Sequence, residues 1–190
     1  MNAEQVSKIL DISLSETFFR SIPEETREML LLHAQTVAEI SPAWNESIPK
    51  KILLKSLLHR GKMYVSESLL SEVTDGRSFE IWDLEIKLLG CCWQIFKMTS
   101  FTIEEMLALN WSKLLQRDAE EIGRIILAFS QVRATGELLL DVCAPHLVKE
   151  IKPNGSIHEV TIHALGPVYR EATHELCGYA AVTTLRPLSN

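Results

Sequence analysis

Long apolar runs are missing from this sequence, and with them the usual means of crossing a membrane. No unbroken apolar stretch approaches the roughly 20 residues that a bilayer-spanning helix needs. Residues 1–13 contain an acid and polar side chains where a secretory signal needs a basic start and an apolar segment. Both absences predict a cytoplasmic protein.

An excess of positive charge is missing as well. The 19 Lys and Arg are outnumbered by 25 Asp and Glu, which gives a net charge of −6. Because a nucleic-acid-binding domain usually carries a basic face, we expect no direct nucleic-acid binding. Hydrophobic residues make up 46% and charged residues 23% of the chain, as is typical of a globular protein with a packed core.

Cysteine is scarce, and its spacing does not indicate a disulfide framework. The chain has Cys91, Cys92, Cys143 and Cys177 and no C-x-x-C motif. Adjacent cysteines are poorly placed to bridge each other, and cytosolic thiols are normally reduced. We therefore predict four free thiols.

Catalytic patterns are also absent. His174-Glu175 lacks the second histidine of a zinc-protease helix. The acidic pairs Glu104-Glu105 and Glu120-Glu121 are adjacent, so their carboxylates point in different directions. No stretch brings a nucleophile, a base and an orienting acid together. The sequence predicts that the protein is not an enzyme.

The first 75 residues are predicted to be mostly helical. Ser21–Glu24 has the pattern of a capping box that starts a helix. A second helix is predicted over Pro49–His59, with Gly61 as its C-terminal stop, and a third over Ser66–Val73. We therefore assign residues 1–75 to a helical extension and residues 76–190 to a second domain.

This extension carries more apolar side chains than one sheet face needs. They include Phe18, Phe19, Leu30, Leu31, Leu32, Leu53, Leu54 and Leu57. An exposed patch of that size is uncommon on a monomer. We therefore expect the helices to pack partly on a sheet and partly across a twofold homodimer interface.

The C-terminal half has the pattern of an antiparallel sheet. Asn154-Gly155 stands between two runs of strand-forming residues, which is the strongest short signal for a β-hairpin. If these two residues form the turn, Leu147 faces Ile162 and His146 faces His163. Strands are predicted over Glu137–Ile151, Ser156–Leu165 and Gly178–Leu185, after a long helix over Asp118–Arg133.

Residues 79–98 are ambiguous. Their apolar residues recur at three- and four-residue spacing, which fits one amphipathic helix. Gly90 interrupts that run, however, and Phe79–Trp82 and Lys87–Cys91 fit two short strands equally well. Periodicity alone leaves both interpretations open.

From Phe79 onward the chain resembles a PAS domain, a small sensory fold of two strands, short helices, one longer helix and three antiparallel strands. FEIWDLEIKLLGCC is similar to the first two strands, with Asp83 where the family often has an acid and Ile86 in place of the usual turn glycine. Thr99–Thr102 followed by Glu104-Glu105 resembles the family's Thr-Gly-Tyr-Ser-like turn and acid pair. PNGS and CGYAAVTTLRPL are similar to the last hairpin turn and the closing strand. The resemblance covers about 110 residues, roughly 79–187.

The resemblance implies an α+β fold with a five-stranded antiparallel sheet and flanking helices. It also implies a cavity between the sheet and the long helix, which PAS domains fill with haem, flavin or small metabolites, or leave without a ligand while they dimerise. We expect a small or filled cavity. Its side would be built from Trp82, Phe96, Trp111, Leu115, Ile125, Phe129, Val160, Ile162, Ala180 and Val182, with His158 as a polar contact.

Two cofactors of the family are not expected here. The blue-light subgroup attaches flavin to a cysteine that follows an asparagine, but Trp111 follows Asn110 in this chain, which excludes a cysteinyl–flavin adduct at that position. Haem needs an axial ligand such as histidine, and the long helix has none. His158 fits a hydrogen-bonded core or rim residue better than a haem ligand.

A metal is also not expected. Cys143-x-x-His146 and His174-x-x-Cys177 together contain the ligand types of a structural zinc site. Positions 143 and 146 of a regular strand point to opposite faces unless Pro145 introduces a bulge. We therefore predict thiols and histidines without a bound metal.

These observations predict a PAS-type sensory or signal-transducing regulatory module that acts through ligand sensing, protein–protein interaction or both. Its output would pass through a protein partner, by way of the helices of residues 23–61. The alternative is a small-ligand carrier or cryptic enzyme on a similar curved sheet. A pocket acid or histidine with a strongly shifted pKa would favour that alternative.

Overall fold

The computed structural model describes residues 1–43, 48–108, 114–152 and 155–188. It is an α+β structure in which one antiparallel sheet has helices on both faces. The α+β class predicted from the sequence is therefore confirmed. Within the described ranges, no helix combines the length and apolar character needed to cross a bilayer.

In the described part of the chain, seven α-helices precede or interrupt the strands. Most lie in the first 75 residues, as predicted. Their bounds are α1 Ala3–Leu10, α2 Glu16–Ser21, α3 Glu24–Ile40, α4 Lys50–Arg60, α5 Glu67–Glu72, α6 Ile103–Ala108 and α7 Ala119–Thr135, with short 3₁₀ segments at Ser41–Ala43 and Trp93–Met98.

The sheet has seven strands in the described part of the chain, two more than predicted. The strands are β1 Met63–Tyr64, β2 Ser78–Trp82, β3 Leu88–Cys91, β4 Leu115–Gln116, β5 Leu139–Glu150, β6 Ile157–Arg170 and β7 Leu176–Pro187. The sheet order is β3-β2-β7-β6-β5-β4, and β1 pairs with β6. The two additional strands, β1 and β4, are two residues long, too short for a periodic pattern.

Residues 79–98 form strands β2 and β3 and a short 3₁₀ segment rather than one helix. The turn between them is stabilised by Asp83, whose Oδ1 accepts hydrogen bonds from the backbone N–H of Glu85 at 2.8 Å and of Lys87 at 2.7 Å. Ile86 adopts a positive φ of 60°, in the region that favours glycine. The acid and the glycine position implied by the PAS resemblance therefore lie in one tight turn.

Strand β6 is longer than predicted. The predicted strand ends at Leu165, yet β6 continues through Gly166 and Pro167 to Arg170, and Pro167 pairs with Tyr179. Pairing of β6 with β5 ends at Leu165, and pairing with β1 begins at Tyr169. Pro167 thus lies where β6 has a partner on one side only, a position that tolerates the missing N–H.

The predicted hairpin register is wrong. In the structure His146 pairs with Val160 and Leu147 with Glu159. Pairing stops at Lys149 and Ile157, so a wider loop replaces the expected two-residue turn, and bulges lie on either side of Cys143. Pro153 and Asn154, on which the predicted turn depended, lie outside the described residues.

The two faces of the sheet are covered by different helices. We call the face packed against α3, α4 and α5 the outer face, and the face packed against α7 the inner face. Phe79 and Ile81 of β2 join the outer core with Leu54 and Leu57 of α4. The inner core contains Ile125, Ala128, Phe129, Val132, Cys143, Leu165, Tyr179 and Ala181.

Ala180 and Val182 were predicted to point inward, and the structure corrects this. Both belong to the outer core, as does Ala164, whereas Tyr179 and Ala181 belong to the inner core. A register shift lies between Ile162 and Ala164 in the β6–β7 pairing. Because a bulge re-aims the residues that follow it, simple alternation along β6 could not assign the faces.

The N-terminal helices bury most of their apolar side chains within the chain. Phe19, Leu30, Leu53, Leu54 and Leu57 are buried, and Phe18, Leu31 and Leu32 are half-buried. The large exposed patch on which the dimer prediction depended is therefore not formed. The homodimer itself stays a prediction.

The predicted capping box is also wrong, whereas the stop at Gly61 is confirmed. Ser21 is the last residue of α2, and its Oγ donates a hydrogen bond to the Phe18 carbonyl at 2.8 Å. Helix α3 begins after Pro23 without a side-chain cap. The Gly61 N–H donates to the Leu57 carbonyl at 3.0 Å and ends α4.

Candidate functional site

An apolar cavity of about 100 Å³ lies between the inner face and helix α7. Strands β2, β5, β6 and β7 form its floor and α7 covers one side. Helix α6, strands β3 and β4, the β2–β3 turn and Arg117 contribute the remainder. Its lining residues are Glu80, Trp82, Ile86, Leu88, Met106, Leu114, Leu115, Arg117, Ile125, Phe129, Val142, Val160, Ile162, Leu165, Ala181 and Thr183. Apart from Trp82, whose indole has one N–H, three lining residues have polar side chains: Glu80, Arg117 and Thr183.

These three residues form one polar end of the cavity. Thr183 Oγ1 donates a hydrogen bond to Glu80 Oε1 at 3.1 Å. Burial raises the pKa of Glu80, while the Thr183 hydrogen bond and the charge of Arg117 act in the opposite direction. Burial lowers the pKa of Arg117, and the charge of Glu80 opposes that shift. The two charges therefore stabilise each other in a surrounding that disfavours both.

Trp82 adds a hydrogen-bond donor beside this polar end. Its Nε1 is buried and has no hydrogen bond of ordinary geometry within the described residues, although the indole N–H still helps to lower the pKa of Glu80. The indole N–H therefore lies near the Glu80 carboxylate without forming a hydrogen bond of ordinary geometry. A polar atom in the cavity could accept this N–H.

One residue of the cavity lining, Ile86, has a strained backbone conformation. Ile86 lines the cavity and is β-branched, yet its backbone has a φ of 60°. This left-handed conformation costs about 1–2 kcal/mol for any residue other than glycine. Backbone strain of this kind persists only where the surrounding structure enforces it, and it is frequent at ligand sites. The strain supports the choice of this cavity as the candidate site.

The structure brings most of the predicted cavity residues together. Trp82, Leu115, Ile125, Phe129, Val160 and Ile162 all line the cavity. Ala180 and Val182 do not, because they lie on the outer face. Trp111 lies outside the described residues, as does the side chain of Phe96, so the argument against a cysteinyl–flavin adduct stays a prediction.

His158 is buried but does not line the cavity. Its Nε2 lies 2.8 Å from Glu150 Oε1, and both side chains have no exposed surface. The other Glu150 oxygen accepts a hydrogen bond from Ser100 Oγ. His158 thus occupies a hydrogen-bonded core position, and the polar contact predicted for it in the cavity is taken by Glu80. Because the carboxylate lies between Ser100 and His158, the imidazole is not placed to activate the hydroxyl.

The two halves of the predicted zinc pattern lie far apart. Cys143 pairs with Ile162 on β6, whereas His174 lies in the turn beyond the end of β6 and contacts the Tyr64 hydroxyl at 2.9 Å. Cys177 donates from Sγ to the Val168 carbonyl at 3.4 Å. Arg170 lies eight residue steps along β6 from Ile162, which is about 26 Å along the strand. One metal ion cannot be shared by all four residues.

Sequence reasoning missed Glu80, Arg117 and Thr183. An acid between two apolar strand residues is usually solvent-facing, and a threonine in a strand carries no specific signal. The available clue was the alternation in Phe79-Glu80-Ile81-Trp82, which sets Glu80 and Trp82 on one face. That this face is covered by α7 is not visible in the local sequence.

Comparison with known proteins adds little to this description. No family model matches the chain, and no curated protein matches it. A solved light-oxygen-voltage domain, studied with a flavin analogue, is similar in structure with a TM-score of 0.42 and 16% sequence identity. The matched region covers 65% of this chain and 86% of that domain.

Proposed function

We propose that the protein is a PAS-type sensory module in which a small ligand in the inner-face cavity controls the packing of the N-terminal helices. One observation carries this proposal. Strand β2 directs Glu80 and Trp82 into the cavity and directs Phe79 and Ile81 into the outer core with α3 and α4. A single strand therefore separates the ligand site from the helices that would transmit the signal.

The cavity limits the ligand to a small molecule. Pockets for drug-sized ligands measure about 300–1,000 Å³, so a cavity of about 100 Å³ accepts only a few heavy atoms unless α7 moves. The polar end offers an acceptor at Glu80 and a donor at Trp82 Nε1. The matching ligand has a small apolar or heteroaromatic body with one donor and one acceptor at the same end.

The signal would leave through a protein partner. Helices α3 and α4, which cover the outer face, lie within residues 23–61, the segment expected from the sequence to carry the output. A ligand that repositions β2 changes the surface on which these helices pack, and it shifts the equilibrium between two packings only by its difference in affinity for them. Homodimerisation and a cytoplasmic location stay part of the proposal as the sequence predicts them.

A small-ligand carrier or cryptic enzyme is the second candidate, and one observation favours it. Glu80 is an acid with a raised pKa in an apolar cavity, as expected of a binding or acid–base group. Hydrogen–deuterium exchange separates the candidates. A sensor changes the protection of α3 and α4 when the cavity fills, a carrier does not, and an enzyme converts its ligand.

Ala181→Leu tests whether the cavity binds a ligand. Ala181 lines the cavity, so a leucine there adds three carbon atoms on the side of β7 that faces the cavity. We expect the free energy of unfolding to stay within about 1 kcal/mol of the parent or to rise by about 0.5–2 kcal/mol. We also expect loss of any small molecule retained from cells, measured by native mass spectrometry, and loss of pyrazole or phenol binding, measured by ligand-observed NMR.

The adjacent Ala180→Leu is the matched control. Ala180 has no exposed surface and lies in the outer core, so the same change overpacks that core and should cost about 1–3 kcal/mol. Ligand binding per folded molecule should be unchanged. A stability loss in Ala181→Leu as large as in Ala180→Leu, or equal binding by Ala181→Leu and the parent, contradicts the proposed ligand site.

A further inference from the structure

Three metal-ligand side chains meet beside the cavity, and none of them lines it. Glu121 lies in the first turn of α7, and Cys143 and His146 lie on β5. One ligand atom from each lies within 4.8 Å of the other two. This cluster uses half of the zinc pattern seen in the sequence and replaces the other half with a carboxylate from the long helix.

A bulge in β5 makes the meeting possible. Positions 143 and 146 of a regular strand point to opposite faces. The β5–β6 pairing shifts register between Cys143 and His146, and this irregularity brings both side chains to the side on which α7 packs. The structure therefore satisfies the condition under which Cys143-x-x-His146 could hold a metal.

The imidazole of His146 is oriented as in a metal ligand. Its Nδ1 lies 3.0 Å from the Ala144 carbonyl oxygen, and because a carbonyl only accepts, Nδ1 carries the proton. The lone pair is then on Nε2, which is buried and has no hydrogen-bond partner within the described residues. Metal-binding histidines are commonly fixed by such a bond from their second nitrogen to a backbone carbonyl.

The thiol and the carboxylate already face each other. Cys143 Sγ donates to Glu121 Oε2 at 2.5 Å, while the other oxygen, Oε1, accepts from Arg124 at 3.1 Å. Arg124 also binds Glu120, and Arg117 contributes a second positive charge near Cys143. A cation must bind in the presence of these two guanidinium groups, but the oxygen that faces the thiol is not the one that Arg124 holds.

We propose that Glu121, Cys143 and His146 bind one divalent ion of the zinc class and leave its fourth coordination position open. Thiolate, imidazole and carboxylate are the ligand types of zinc sites, and three protein ligands with one open position is a common arrangement. In a tetrahedral site the ligand atoms stand about 3.4–3.6 Å apart, by the usual zinc–ligand bond lengths. Binding replaces the thiol proton by the metal, so one proton is released to solvent for each ion bound.

This proposal departs from the expectation of no metal drawn from the sequence, and it does not depend on the cavity ligand. Its test uses the full chain stripped of metal with a chelator. Zn²⁺ is titrated by calorimetry, and Co²⁺ is titrated while the thiolate-to-cobalt charge-transfer absorption is recorded. We expect one ion per chain, a charge-transfer band, and a rise in Tm when Zn²⁺ is present.

Three variants and one control assign the ligands. Cys143→Ala should abolish the cobalt charge-transfer band, and His146→Gln and Glu121→Gln should each weaken Zn²⁺ binding at least about tenfold. Cys177→Ala is the control, since it removes a thiol that the sequence pattern includes but the structure places elsewhere, and it should bind as the parent does. Circular dichroism of the metal-free variants checks that each is folded.

Two results overturn the proposal. One is the absence of saturable binding by the parent chain at one ion per molecule. The other is a charge-transfer band that survives in Cys143→Ala or disappears in Cys177→Ala, because a different thiol would then be the ligand. If Cys143→Ala is unfolded without metal, the test is made with Glu121→Gln instead. An unchanged Zn²⁺ affinity in folded Glu121→Gln would show that this carboxylate is not a ligand, and it would contradict the proposed site.

Discussion

Replacing Phe79 with alanine is expected to destabilise the N-terminal helices and the sheet together, by about 3–5 kcal/mol. Phe79 has no exposed surface and lies in the core that α3, α4 and α5 share with β2, β6 and β7. Its ring stacks on His33 of α3 with 6.5 Å between ring centroids and 17° between planes. Since a domain is typically stable by about 5–15 kcal/mol, this loss is a large share of the total.

Urea unfolding followed by tryptophan fluorescence and by far-ultraviolet circular dichroism measures this effect. We expect one transition with coincident midpoints in both the parent chain and the variant, because the helices cannot keep their core after the sheet unfolds. Phe79→Leu is the control and should cost less than about 1.5 kcal/mol. Two separate transitions, with the helical one unchanged in Phe79→Ala, would show that residues 1–75 and 76–190 fold independently.

Acidification from pH 6.5 to pH 4 is expected to lower the free energy of unfolding through His33, by up to about 3 kcal/mol. Burial lowers the pKa of His33 to about 4, from 6.5. Its Nδ1 accepts a hydrogen bond from Trp93 Nε1 at 3.2 Å, so protonation would also remove that bond. Between pH 6.5 and pH 4 the imidazole of His33 is protonated in the unfolded chain but stays neutral in the folded chain. Proton binding by the unfolded chain therefore favours unfolding.

The stabilisation from neutral His33 is therefore complete above pH 6.5 and is lost as the pH falls towards 4. Each pH unit in this interval is worth about 1.4 kcal/mol. Carboxylates also titrate near the lower limit, so the measurement is the difference between the parent and His33→Gln, whose side-chain oxygen can accept from Trp93 but does not titrate. Chemical unfolding at several pH values gives both curves. Equal pH dependence in the two proteins would contradict a buried neutral His33.

Much of the local structure could be predicted because it depends on residues close in sequence. Helix α4 ends at Gly61 through a bond to the carbonyl four residues earlier. The turn after β2 is closed by Asp83, which accepts from the backbone two and four residues later. The long helix was predicted over Asp118–Arg133 and runs over Ala119–Thr135. Such contacts form within one turn or one hairpin, so their residues carry the signal.

The face that each strand residue occupies was decided by the tertiary structure. A loop wider than two residues shifted the β5–β6 register, and a bulge brought Cys143 and His146 to one side. In β7 the residues that reach the cavity are Ala181 and Thr183, not Ala180 and Val182. A change of one residue in register moves every side chain of the strand to the other face. The local sequence of a strand does not indicate which register forms.

The polar groups of both proposed sites come together only when distant elements pack. Glu80 and Thr183 are 103 residues apart, and Glu121 reaches Cys143 because helix α7 lies across β5. The sequence by itself determined most of the helices, the three long C-terminal strands and the apolar character of the cavity, since these depend on periodicity and composition. Which acid is buried, and which thiol meets which carboxylate, depended on strand pairing and helix docking, because the desolvation and charge pairing that define such groups exist only in the packed chain.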